Sequence, residues 1–118
     1  MRLAIAILIA TVTPAAAHDW YSTETDPVTM ARCCGGQDCA PLKVEPGMIE
    51  AVEDGYRLRL TLEQAQAINP KRTQAVDTLV EWDRIQPSPD GNWHVCIPNY
   101  YLPSMRADIY CFWEPGAM

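Results

Sequence analysis

Hydrophobic and polar positions alternate with a period of two along much of this chain, and Gly and Pro mark where the alternation breaks. Leu42 and Val44 alternate with Lys43 and Glu45, a short strand closed by Pro46-Gly47. The segments 48–53 and 56–60 flank Asp54-Gly55, a strong signal for a two-residue hairpin. In its second arm Tyr56, Leu58 and Leu60 face one way and Arg57 and Arg59 the other, as in a half-buried strand. The pattern then changes. Residues 61–68 predict one short helix, with Thr61 and Gln64 forming a capping box and Asn69-Pro70 ending it. Strands follow over 78–85, centred on Trp82, over 93–97 and over 107–113, with a turn at 87–91 and a loop at 98–105 around Tyr100, Tyr101 and Pro103. The prediction is a mainly β (α+β) fold: a small twisted antiparallel sheet or open barrel of about five or six strands with one short helix.

The first stretch follows a different rule. Met1-Arg2, an apolar run from Leu3 to Val12 and an Ala15-x-Ala17 ending form the three parts of a secretory signal peptide. A membrane-spanning helix needs about 20 apolar residues, and Pro14 stops this run short of that. Cleavage after Ala17 leaves 18–118 as a single small domain beginning at His18. It also removes one positive charge, Arg2, from a chain whose formal net charge is already −6. An acidic surface argues against nucleic acid or anionic lipid as partner. No membrane association is expected after cleavage.

Five cysteines in a short exported chain predict a disulfide framework: Cys33, Cys34, Cys39, Cys96 and Cys111. Five is odd, so one thiol is left over, and each choice of the odd one leaves three pairings of the other four. Cys96 and Cys111 lie on strands joined by a loop and could bridge in a ring of about 16 residues, with either Cys33 or Cys34 then pairing with Cys39. The alternative ties the amino-terminal loop to the late strands, for example Cys39 to Cys111. A bridge from loop to sheet is preferred, because the Gly35-Gly36 loop has few other anchors. No Cys-x-x-Cys spacing occurs, so neither a thioredoxin-like redox centre nor a zinc ribbon is indicated. The bridges read as structural staples, and a reactive spare thiol is the competing reading.

The segments His18-Asp19-Trp20-Tyr21, Cys-Cys-Gly-Gly-x-Asp-Cys at 33–39, Ser-Pro-Asp-Gly-x-Trp-His-Val-Cys at 88–96 and Cys111-Phe112-Trp113 resemble those of a group of small exported, cysteine-containing alphaproteobacterial proteins of unknown function. The resemblance implies export and a cysteine framework, and no reaction.

Candidate chemistry centres on the two histidines. A free His18 amine with its own imidazole can chelate a metal, and His94 would complete a three-nitrogen site suited to Cu(II). His94 shares its strand face with Cys96 while Trp93, Val95 and Ile97 point away, which predicts an accessible, less apolar side. The competing reading is an ordinary hydrogen-bonded strand histidine. Glu81 and Asp83 are expected on one strand face, and with Asp19 and Asp38 they read as solvated acids. No Gly-x-Ser-x-Gly, phosphate loop or dinucleotide fingerprint is present. The aromatics Trp93, Tyr100, Tyr101, Tyr110, Phe112 and Trp113 read as core, or as a partner surface where exposed. The leading functional expectation is an exported, periplasmic, non-enzymatic binding or structural module whose partner is a protein or envelope component. The alternatives are a Cu(II)-binding protein using His18 and His94, and an oxidase built on the same metal site.

Overall fold

The structure, a computed structural model, describes residues 20–33 and 37–116. The leader at 1–17, His18 and Cys34 lie outside the described residues. Among the described residues, seven strands form two sheets with one α-helix, so the expected mainly β, disulfide-stapled class holds. The strands are β1 (Cys39–Pro41), β2 (Ile49–Val52), β3 (Gly55–Leu60), β4 (Val76–Glu81), β5 (Ile85–Ser88), β6 (His94–Cys96) and β7 (Cys111–Pro115). One sheet has the order β2-β3-β4 and the other β1-β6-β7-β5. All pairings are antiparallel except β5 with β7.

The locally encoded pieces form as their patterns predict. The hairpin forms, but its two-residue turn is Glu53-Asp54, one residue earlier than expected, because Gly55 already pairs with Val52 and Tyr56 with Ala51. Gly55 is required there: a Cβ would meet the Val80 carbonyl oxygen at 1.9 Å. The helix α1 (Leu62–Ile68) is opened by the reciprocal Thr61–Gln64 capping box, which satisfies two otherwise orphaned amides.

Several boundaries move. The strand expected at 42–45 sits earlier, at Cys39–Pro41, where it pairs with β6. The strand expected at 78–85 is interrupted by a 3-10 turn at Trp82–Arg84, so Trp82 lies on a corner between the sheets. The Trp82 indole Nε1 donates to the Glu53 carbonyl, anchoring that corner. Asp83 therefore leaves the strand face of Glu81, and Glu81 instead binds Arg106. The last strand begins at Cys111 rather than Ala107.

The four-stranded sheet is covered on both faces. One face contributes Val95 and Phe112 to a core shared with Leu58, Leu60 and Val80 of the other sheet and with Ala65 and Ile68 of α1. The opposite face contributes Cys96, Cys111 and Trp113 to a second cluster, closed by Tyr21 from the amino-terminal arm. Two buried ion pairs tie irregular segments down. Arg84 Nε donates to Asp26 at 2.9 Å, fixing the arm. The Arg72 guanidinium grips Asp108 with two hydrogen bonds and also donates to the carbonyls of Gln74, Ala75 and Pro98, joining the loop after α1 to the loop before β7.

Candidate functional site

The expected site at His94 is built from β6 and the arm. Its parity is as predicted: His94 and Cys96 face one way, Val95 the other. Its accessibility is not. His94 is 2% exposed, because Trp20 and Tyr21 fold over that face. The Trp20 ring meets His94 edge-on at 4.9 Å between centroids, and Trp113 lies 5.1 Å from Trp20. Alternation alone assigns the face, and the covering segment comes from more than seventy residues away.

Both imidazole nitrogens are engaged. Nδ1 is hydrogen-bonded to the Tyr21 hydroxyl, and Nε2 lies 2.7 Å from Asp90 Oδ1. An ionised carboxylate only accepts, so Nε2 carries the proton and, in the neutral ring, Nδ1 accepts from Tyr21. Asp90 is held well below the usual carboxylate range, chiefly by this bond from His94 and further by the Asn92 amide and the Ser88 hydroxyl. The chain Tyr21–His94–Asp90 is thus a satisfied polar connection running from a buried phenol to an exposed acid. A metal at His94 would have to displace Tyr21 from Nδ1, or both the proton and Asp90 from Nε2. Among the described residues no group of three or more His, Cys, Asp or Glu is placed to hold a metal ion.

The bridges lie beside this cluster. They are Cys33–Cys111, which runs from loop to sheet as preferred for so glycine-rich a loop, and Cys39–Cys96, which joins the paired strands β1 and β6. The Cys96–Cys111 bridge and the bridge within the loop do not form, although Cys96 and Cys111 are direct cross-strand neighbours. Cys96 also stands opposite Cys39 across the β1–β6 pair and is bonded there.

A second feature went unrecognised in the sequence. The loops joined by Arg72 and Asp108, together with Gln37 and Asp38, line an open cleft of about 490 Å³. Asp38, Asn69, Lys71, Asn99, Tyr100 and Tyr110 are among the residues lining it. The Asn69 amide is fixed by donating to the Ile97 carbonyl and Asn99 Oδ1, both at 3.0 Å, while its own oxygen accepts from the Lys71 amide. Burial, then Asp38 and then Tyr100 push the Tyr110 phenol pKa up, so it stays a hydrogen-bond donor. In sequence Asn69-Pro70 is only a helix stop. The one legible signal was the tyrosine-rich loop, and Tyr100 and Tyr101 are 52% and 41% exposed. Phe112 and Trp113 are core, as expected.

No known family model, curated protein or solved structure matches this chain. Among the described residues, no helix is long and apolar enough to cross a membrane.

Proposed function

We propose that the protein is an exported, disulfide-stapled binding module without catalytic machinery, acting on a protein or envelope component in the periplasm. One observation carries this reading: one bridge ties the amino-terminal arm to β7 and the other locks β1 to β6, and the groups best suited to chemistry are spent on holding that arrangement. His94 is buried between Tyr21 and Asp90, and the arginines Arg72 and Arg84 are buried against Asp108 and Asp26. Among the concave surfaces that remain is a cleft whose walls include the side-chain amides of Asn69 and Asn99 and the rings of Tyr100 and Tyr110, a surface suited to holding a ligand. The test is intact mass and a non-reducing peptide map of the protein recovered from the periplasm. A chain lacking residues 1–17, with Cys33 linked to Cys111 and Cys39 to Cys96, is the expected result. A retained leader or reduced cysteines would reject it.

Copper binding is the second reading, and one contact favours it. Trp20 packs on His94, and His18 is two residues from Trp20, within about 7 Å of it at full extension. Against it stand the two filled ring nitrogens. A Cu(II) titration of the mature protein, of Tyr21→Phe and of a form with one glycine inserted before His18 separates the readings. Copper bound through the His18 amine would be weakened by the insertion and by acid, since amine and rings must lose protons. Equal binding by all three forms would end the copper reading.

A further inference from the structure

We propose that the cavity between the loop after α1 and the loop before β7 is a saccharide-binding site, taking a neutral pyranose unit. This names the ligand class for the binding-module reading above and rests on it.

The volume, about 490 Å³, lies within the range of sites for small organic ligands. The polar groups around it are mixed in kind. Among the described residues the Tyr110 hydroxyl, the Asn99 Nδ2 and the Lys71 ammonium have no hydrogen-bond partner, so three donors are open, and Asn99 Oδ1, which accepts from Asn69, keeps a second lone pair as an acceptor. One positive and one negative side chain leave the lining without net charge, which favours neither an anion nor a cation. Donors and acceptors side by side match hydroxyl groups, each of which both donates and accepts.

The apolar lining fits the rest of such a ligand. The exposed ring of Tyr100, with Leu102, Met105 and Pro98, offers surface for the C–H faces of a sugar ring. A peptide would be read differently, by an unpaired strand edge or deep apolar pockets for its side chains. Here the buried wall includes the Asn69 amide, and the loop residues that line the cavity lie outside the strands. The site is also formed before any ligand arrives. Asn69 is locked by three hydrogen bonds, Thr73 donates its amide to the Asn99 carbonyl, and the buried Arg72–Asp108 pair holds both loops. Little ordering is then left to oppose binding.

The experiment is amide-detected NMR of the oxidised mature protein, titrated separately with chitotriose, cellotriose, maltotriose and triglycine. The expected result is saturable shifts from at least one trisaccharide, centred on Asn69, Lys71 and residues 99–110, with a Kd of about 10 mM or tighter. Tyr100→Ala and Asn99→Ala, both at exposed positions, should each weaken that binding at least about fivefold while leaving the remaining spectrum in place. Saturation by none of the trisaccharides, shifts that ignore both substitutions, or saturation by triglycine alone would overturn the proposal. If the mass and bridge map are as expected while the sugars fail, the exported module stands and only its ligand class falls. A retained leader or reduced cysteines would instead remove the reading on which both rest.

Discussion

Deleting the two bridges one at a time and together tests the stapled architecture quantitatively. They are nested: Cys33–Cys111 spans 78 residues and encloses Cys39–Cys96, which spans 57. In the chain-entropy account either bridge alone restrains the unfolded chain by about 4 kcal/mol. With one bridge closed, the other completes only a short ring through it, of 78 less 57, or 21 residues. That ring is worth about 3 kcal/mol. Cys39→Ala/Cys96→Ala and Cys33→Ala/Cys111→Ala should therefore each lose about 3 kcal/mol, and the quadruple variant about 7 to 8. A domain of this size has about 5–15 kcal/mol in total, so each single-bridge protein should fold and the bridgeless one should be marginal or unfolded. Voids left in the cluster by alanine push in the same direction. The assay is guanidinium chloride unfolding in a Cys34→Ser background, which prevents the odd thiol from forming a substitute bridge. Losses below about 1 kcal/mol for either bridge would refute the reasoning, because the loop would then be held by packing alone.

Arg72→Met leaves Asp108 buried without its partner and should cost about 3–5 kcal/mol in urea unfolding, whereas Arg72→Met/Asp108→Leu should cost less than the single change. Gly55→Ala should destabilise by about 1–3 kcal/mol or more, read as a fall in Tm, because the new Cβ meets backbone of β4 that cannot move aside cheaply. The Tyr56 phenol is pushed up to about 12, first by its hydrogen bond to Glu114, then by burial and by the charge of Glu114. Its folded pKa lies above its unfolded value near 10, so its contribution is fully present below pH 10 and lost as pH rises towards 12. Stability measured across that window should fall more steeply in the wild type than in Tyr56→Phe, and equal slopes would remove the linkage.

Short-range patterns in the sequence were reliable wherever the physics is short-range. The existence of a hairpin over 49–60, though not its exact turn, the Thr61–Gln64 cap, the facing of Tyr56, Leu58 and Leu60 and the shared face of His94 and Cys96 each depend on residues close along the chain. The break at Trp82 was not legible, because the 78–85 run reads as one strand and the turn is held by Glu53 and Asp54 from the hairpin. The cavity was not legible either. Its walls meet through contacts distant in sequence, Asn69 with Asn99 across 30 residues and Arg72 with Asp108 across 36.

The sequence by itself determined a mainly β chain with one capped helix and enough cysteines for two staples. It also determined which side chains share a strand face, since alternation is a property of the backbone. Only the tertiary structure decided what lies against each face. Tyr21 covers His94 across 73 residues, Cys33 finds Cys111 across 78, and those encounters turned an expected accessible strand face into a second buried cluster. Burial of a face depends on a distant segment having apolar and hydrogen-bonding groups to match it. A local pattern carries no record of that match.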